Sequence, residues 1–229
     1  MARKPSPKKR RGGTEGSVVV IGLGRFGRAL ALELADEDTE VLGIDENTEV
    51  VQALSGSLTH VVRADSTKED VLRQLGVHEF DRAVVAIGSD LEASILTASL
   101  LISFGIENVW AKAISEAHGR ILTQLGVHHV VYPEHDMGQR VAHLVRGRML
   151  DYIEFEDDFA MVKTKPPADI VGLPLSDSAV RTRYGITVVA IKRPGEGFTY
   201  ATADTVVEAD DTIIVAGRTR ATERFSELQ

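Results

Sequence analysis

From Ser17 to about residue 133, the sequence alternates short runs of β-branched residues with longer segments of helical periodicity. The runs predict strands at residues 17–21, 39–44, 58–62, 82–87, 108–113 and 128–132. Between them, apolar residues at helical spacing predict helices at residues 25–36, 47–55, 67–75, 90–104 and 115–125. Because parallel strands need long crossover connections, usually helices, this alternation predicts an α/β fold with a Rossmann-like, doubly wound parallel sheet.

Three glycines follow the first predicted strand directly, in the sequence VVVIGLGRFGRAL. Gly22, Gly24 and Gly27 have the spacing G-x-G-x-x-G and open a predicted helix. In this setting the first glycine allows a tight turn, the second lets a diphosphate approach the backbone, and the third allows close helix–strand packing. The helix N-terminus also attracts negative charge. The motif predicts a nucleotide phosphate site, and the alternative is that the glycines serve packing alone.

Asp45 ends the second predicted strand in VLGIDEN, 18 residues after Gly27. A carboxylate at this place accepts hydrogen bonds from a ribose 2′-hydroxyl and repels a 2′-phosphate. The sequence therefore favours a ligand with a free 2′-hydroxyl over NADP. It leaves NAD, ATP and ADP open.

Other candidates lie near the carboxyl ends of the predicted strands. Arg25, between the second and third glycines, either pairs with a phosphate or faces solvent. Asp65, in ADST, either faces the ligand or caps the next helix. Gly88, in AIGSD, permits close approach of a nucleotide. Phe26 and Ser66, which neighbour these residues in sequence, complete the predicted set.

The chain changes character after Pro133. Residues 134–152 carry apolar residues at helical spacing, namely Met137, Val141, Leu144, Val145, Met149 and Tyr152. They predict a sixth helix that either packs on its own domain or carries an apolar stripe to another subunit. From residue 153 a small α+β lobe is predicted, with a meandering sheet. Its predicted strands are 159–165, 187–193, 198–201 and 212–217, and its helices are 174–183 and a last one from 219.

The predicted organisation has four parts. They are a disordered basic tail (1–15), a nucleotide-binding domain (16–133), a crossover helix (134–152) and a C-terminal domain (153–229). The first eleven residues hold six of the 26 Lys and Arg residues and no acid, which leaves 20 bases against 34 acids in residues 12–229. An acidic body repels nucleic acid, and no helix-turn-helix pattern is evident, so we expect no nucleic-acid partner. The tail either contacts anionic lipid or is simply solvated.

Composition excludes several kinds of site. The chain has no cysteine, which rules out disulfides, thiolate metal sites and a cysteine nucleophile. No histidine lies in an H-E-x-x-H pattern, and residues 153–229 contain no histidine at all. The main rival, a small NAD-dependent oxidoreductase, therefore lacks an evident proton donor in its second domain. We predict a protein that is not an enzyme.

The longest uncharged apolar stretch, residues 93–106, is shorter than the roughly 20 residues that span a bilayer. The basic N-terminal segment leads into no apolar run of the kind found in secretory signals. We therefore expect a cytoplasmic chain.

Taken with these motifs, the segments VVVIGLGRFG, GIDEN, ADST, VVAIG, VWAKA and YPEHDMG, followed by VRTRYGITVVAIKR, resemble one known family. It is the family of regulator of K⁺ conductance (RCK) subunits, the cytoplasmic gating proteins of Ktr and Trk potassium uptake systems. The resemblance covers residues 16–226 and is strongest to the Ktr type, which carries one N-terminal and one C-terminal lobe per chain.

The resemblance implies an assembly and a set of ligands. Subunits of this family dimerise through the crossover helix, here 134–152, and form an octameric ring beneath a membrane potassium channel subunit. Helix 90–104 would belong to the ring contact. The chain would lie at the inner face of the membrane through that partner. ATP and ADP, or in some members NAD or NADH, occupy the glycine site, with ATP favouring the conducting state and ADP the closed one.

The resemblance also implies roles for individual residues. Arg25 would contact the γ-phosphate across the dimer, Lys112 would lie near the nucleotide, and Glu134 would hold a cation such as Mg²⁺ beside the phosphates. The alternatives are that Glu134 is an ordinary acid at a helix start and Lys112 a surface lysine. In several relatives the C-terminal lobe binds cyclic di-AMP. The matching residues here are Ile170, Arg181 and the segment 184–190.

Overall fold

A computed structural model describes residues 16–146 and 149–228. The predicted disordered tail lies outside the described residues. The chain divides into two units between Glu134 and His135. Each unit has its own buried apolar core.

The first unit contains a parallel sheet. Its strands are β1 (Val18–Ile21), β2 (Val41–Asp45), β3 (His60–Arg63), β4 (Arg82–Val85), β5 (Asn108–Lys112) and β6 (His129–Val131). They lie in the order β3-β2-β1-β4-β5-β6. The strand order reverses between β1 and β4, which is where such sheets bind ligands. The predicted Rossmann-like fold is confirmed.

Helices cover both faces of this sheet. They are α1 (Arg25–Asp36), α2 (Thr48–Leu54), α3 (Glu69–Gln74), α4 (Leu91–Ser103) and α5 (Glu116–Gln124), with a short 3₁₀ helix at Val77–Glu79. Alternate β1 residues enter opposite cores: Val18 and Val20 face the side of α1 and α2, whereas Val19 and Ile21 face α4 and α5. Both faces are therefore buried, which explains the continuous apolar runs in the sequence.

The second unit is α+β. Its sheet consists of β7 (Asp151–Phe155), β8 (Phe159–Thr164), β9 (Ile186–Lys192), β10 (Phe198–Tyr200) and β11 (Thr212–Arg218), all antiparallel. Its helices are α7 (Val180–Tyr184), α8 (Thr219–Ser226) and a 3₁₀ helix at Ala168–Ile170. The helix α6 (Pro133–Arg146) starts in the first unit and continues into the second.

The predicted meander is wrong, because β11 lies between β8 and β9. The predicted helix at 174–183 is also largely wrong, since α7 begins only at Val180. In its place, the N–H groups of Leu175 and Ser176 donate to the carbonyls of Thr205 and Ala203. Pairing with a distant segment has replaced helical hydrogen bonds here.

The sixth helix does not extend to residue 152 as predicted, because α6 spans Pro133–Arg146 and residues 149–152 lie outside it. Tyr152 belongs to strand β7 and packs with Met149 in the core of the second unit. Side chains of α6 also contact β7. An Arg140 guanidinium nitrogen lies 2.5 Å from Asp151 Oδ1, and the His143 ring stacks on the Tyr152 ring with 4.2 Å between their centroids. Packing on the small sheet therefore favours a strand where the apolar spacing suggested a helix.

None of the helices within the described ranges combines the length and the apolar character that crossing a bilayer requires.

Candidate functional site

A cavity of about 860 Å³ lies at the carboxyl edge of the parallel sheet, in the first unit. Its lining includes ten of the residues predicted from the sequence: Gly22, Gly24, Arg25, Phe26, Asp45, Asp65, Ser66, Gly88, Lys112 and Glu134. Gly27 is buried and lies behind the lining. The fold thus brings together side chains that are up to 112 positions apart in the sequence.

The first and third motif glycines are required by packing. Gly22 has φ of +90°, and a Cβ there would lie 2.9 Å from the backbone nitrogen of Ile87. A Cβ on Gly27 would lie 1.9 Å from the carbonyl oxygen of Gly22. Gly24 differs, because a Cβ there meets no atom within 4 Å. Gly24 therefore leaves open space on the cavity side, where a ligand can approach the backbone.

The N-terminus of α1 is open toward an anion. The first intrahelical bond runs from the Arg28 N–H to the Gly24 carbonyl at 2.8 Å. No described side chain caps this helix, and its first turn has no acid. By contrast, α2, α4 and α5 are capped by Asn47, Asp90 and Ser115. The N–H groups at the start of α1 remain available, as in known phosphate sites.

Asp45 holds the glycine turn in place. Its Oδ2 accepts a hydrogen bond from the Leu23 N–H at 2.6 Å, and its Oδ1 accepts one from the Asn47 N–H at 2.8 Å. Each carboxylate oxygen has a second acceptor position. The side chain can therefore stabilise the turn and still accept from ribose hydroxyls.

The turn after β3 closes another side of the cavity. The Thr67 hydroxyl donates to Asp65 Oδ1 at 2.6 Å, and this hydrogen bond lowers the pKa of Asp65 below its ordinary value. Ser66 is buried and shares a 2.8 Å hydrogen bond with the hydroxyl of Thr97 on α4. Asp65 therefore presents a carboxylate to the cavity, whereas Ser66 joins this turn to α4.

Lys112 and Glu134 form an ion pair in the cavity wall. The Lys112 Nζ donates to Glu134 Oε1 at 2.5 Å and lies 5.9 Å from the centroid of the Phe26 ring. The hydrogen bond from Lys112 lowers the pKa of Glu134, and the nearby charges of Lys112 and Arg25 lower it further. Glu134 is therefore a carboxylate at neutral pH, and its partner is a lysine.

The residues of the cavity fit a nucleotide better than a metal ion held by protein side chains. The open helix N-terminus, the space at Gly24 and the carboxylate of Asp45 fit the phosphates and ribose of a nucleotide. Within the described ranges, no group of three or more His, Asp or Glu side chains is placed to hold a metal ion. A cation beside Glu134 would therefore need further oxygen ligands, such as those of the phosphates.

Sequence reasoning missed part of the lining. Ile44, Val50, Ala64 and Leu96 give the cavity an apolar side. Lys68, Glu46 and Glu92 add charge, so the lining has three bases (Arg25, Lys68, Lys112) against six acids (Asp45, Glu46, Asp65, Asp90, Glu92, Glu134). In the sequence these apolar residues follow the same strand and helix patterns as the core positions, and no local signal distinguishes them.

The residues matched to a cyclic di-AMP site lie in the second unit. Ile170 is completely buried in its core, whereas Arg181 is exposed and donates from Nε to the Thr187 hydroxyl at 3.2 Å. Tyr184 donates its hydroxyl hydrogen to Asp169, which also pairs with Arg183 at 2.8 Å. As placed here, the Ile170 side chain has no exposed surface to offer a ligand.

Comparisons with known proteins agree with this architecture. The model of the TrkA-N domain matches residues 18–133, and the model of the TrkA-C domain matches residues 159–229. The chain is 37% identical over 209 residues to the Ktr system potassium uptake protein C of Bacillus subtilis, covering 91% of this chain and 95% of that protein. It is 35% identical over 207 residues to the Ktr system potassium uptake protein A of the same organism, covering 90% of this chain and 93% of that protein.

Solved structures show the same fold. The RCK domain of GsuK superposes with a TM-score of 0.64 at 18% identity, covering 99% of this chain and 50% of that one. The GsuK channel bound to NAD superposes with a TM-score of 0.63 at 17% identity, covering 96% of this chain and 40% of that one. The chain thus spans half or less of the length of those GsuK chains. With both domain models matched in order and the Ktr relatives covered almost completely, the chain belongs to the RCK family.

Proposed function

We propose that this protein is a nucleotide-binding regulatory subunit of a Ktr-type potassium uptake system. The observation that carries the proposal is the cavity, in which an uncapped helix N-terminus and Asp45 lie where a nucleotide's phosphates and ribose would bind. The Ktr relatives support the link to potassium uptake. The protein would act at the inner face of the membrane, through a potassium transporter subunit.

ATP and ADP are the proposed ligands, with NAD or NADH as alternatives. Asp45 disfavours a 2′-phosphate, and the apolar side of the cavity suits an adenine ring. No catalytic role is proposed for any residue of the cavity.

Isothermal titration calorimetry with ATP, ADP, NADH and NADPH, each with and without Mg²⁺, tests the ligand. Binding of the ligands with a free 2′-hydroxyl, and none of NADPH, is the expected result. Failure of every adenine nucleotide to bind would refute the proposal. Growth of a bacterial strain lacking its own Ktr regulatory subunit, at low potassium, tests the link to transport. Rescue by the wild type is expected, and rescue should fail when Asp45→Ala removes the ribose contact.

The proposed signal is the number of phosphates. Arg25 is exposed at the start of α1 and lines the cavity. We propose that Arg25 of one subunit contacts the γ-phosphate bound in its dimer partner, because a ligand shifts an equilibrium only through different contacts in the two states. Arg25→Ala should then remove the preference for ATP over ADP and leave ADP affinity nearly unchanged. An unaltered preference would contradict this contact.

The proposed assembly is a homodimer, and dimers would form an octameric ring. Three apolar side chains of α6 are exposed, Met137 (53%), Val141 (45%) and Val145 (79%). On the first unit, Trp110 is 39% exposed and stacks on His129 at 4.1 Å between ring centroids. Exposed apolar groups of this size are typical of interfaces, and α6 and this sheet edge would be covered by a second copy.

A further inference from the structure

The ion pair between Lys112 and Glu134 has a further role, which rests on the nucleotide function proposed above. Lys112 is the last residue of β5, and Glu134 is the second residue of α6. Their 2.5 Å contact therefore ties the first turn of α6 to the edge of the sheet. Both side chains line the cavity.

The two side chains of the ion pair differ in their exposure to solvent. The Lys112 side chain is 11% exposed, whereas that of Glu134 is 63% exposed. The Lys112 ammonium is confined between the Phe26 ring and Gly88, where a Cβ would lie 3.1 Å from Nζ. If the pair separates, the carboxylate can turn into solvent while the ammonium stays in the cavity wall.

The charge balance of the cavity gives this separation a consequence. Three bases face six acids in the lining, so a polyphosphate meets an acidic surface. In the structure the charge of Lys112 is already matched by Glu134. A phosphate group that contacts Lys112 must share it with a carboxylate of the same sign as itself, and this repulsion opposes binding.

We propose that Glu134 is an internal competitor of the nucleotide: it occupies the Lys112 ammonium in the ligand-free protein and yields it to the phosphate chain on binding. Phosphate binding then breaks the link between β5 and the first turn of α6. Glu134 thus acts on the nucleotide through Lys112, and after the ion pair separates its carboxylate is available for other contacts.

The experiment measures ADP affinity by calorimetry in EDTA, for the wild type, Glu134→Gln, Lys112→Met and the double variant. Glu134→Gln should tighten ADP binding about 1.5- to fivefold, because an ion pair with one exposed partner is worth about 0.2–1 kcal/mol. Lys112→Met should weaken binding, and adding Glu134→Gln to it should change little. Adenosine, which has no phosphate, should bind the wild type and Glu134→Gln equally.

Glu92→Gln is the matched control, since Glu92 also lines the cavity but lies on α4. Glu92→Gln also removes one negative charge. The change that it causes in the Kd for ADP should be the same in the wild-type background and in the Lys112→Met background. Weaker or unchanged ADP binding by Glu134→Gln in EDTA would overturn the proposal, as would an effect that persists in Lys112→Met or appears only with Mg²⁺. If the wild type binds no ADP, the proposed function itself fails. If ADP binds and the two substitutions act independently, only this inference fails.

Discussion

Asp45 gives a sharp test, because its two roles can be separated. Asp45→Asn leaves one acceptor oxygen and adds an NH₂ group. In the structure both carboxylate oxygens accept backbone N–H groups, from Leu23 and Asn47. The amide can satisfy only one of them, and it turns a donor toward the other. Whichever N–H loses its acceptor, one hydrogen bond to a charged group is lost, and such a bond is worth about 1.5–3 kcal/mol.

The substitution therefore lowers the stability of the first unit. For a chain of this size, each kcal/mol corresponds to about 2–4 °C in the thermal midpoint. We expect a fall of several degrees in calorimetry. Asp65→Asn is the matched control: Asp65 also lines the cavity, but it is exposed and its partner Thr67 lies in the same turn. A smaller fall is expected there.

The ligand role is measured with ADP and 2′-deoxy-ADP. A hydrogen bond from the ribose 2′-hydroxyl to a carboxylate is worth about 1.5–3 kcal/mol, or roughly 10- to 150-fold in Kd. The wild type should prefer ADP by that factor, and Asp45→Asn should lose most of the preference. Equal binding of the two ligands by the wild type would refute the ribose contact, and Asp45 would then serve the turn alone.

Three other perturbations follow from the structure. Gly27→Ala should lower the thermal midpoint, because its Cβ would lie 1.9 Å from the carbonyl oxygen of Gly22. Gly24→Ala should leave the midpoint unchanged and weaken nucleotide binding, because its Cβ meets no atom within 4 Å. Equal midpoints for the two variants would contradict the packing role of Gly27. Burial lowers the pKa of His118, so the unfolded chain binds more protons below about pH 6.5 and stability falls as the pH drops through that range. The midpoint of the wild type should fall more than that of His118→Phe between about pH 7.5 and about pH 5.5, and parallel pH profiles would be evidence against this. Val141→Asp should reduce the mass of the oligomer in light scattering, since it charges the exposed stripe of α6; an unchanged mass would exclude this stripe from the interface.

Prediction from sequence succeeded where the signal was local. Each strand of the first unit reads as a short apolar run, and the glycine motif lies within six residues, so neither depends on distant parts of the chain. It failed where distant segments compete with local periodicity. Met149 and Tyr152 continue the helical spacing of α6, yet Tyr152 is in β7, because pairing with β8 buries it in the core of the second unit.

The sequence alone was enough to determine the α/β class of the first unit, its glycine turn and the acid at the end of the second strand. Only the tertiary structure decided that Lys112 meets Glu134, that Ser66 is joined to Thr97, and that β11 lies between β8 and β9. Local patterns record which face of an element is buried. Contacts between residues 22 or more positions apart depend on how the elements pack, and no periodicity within one element encodes that choice.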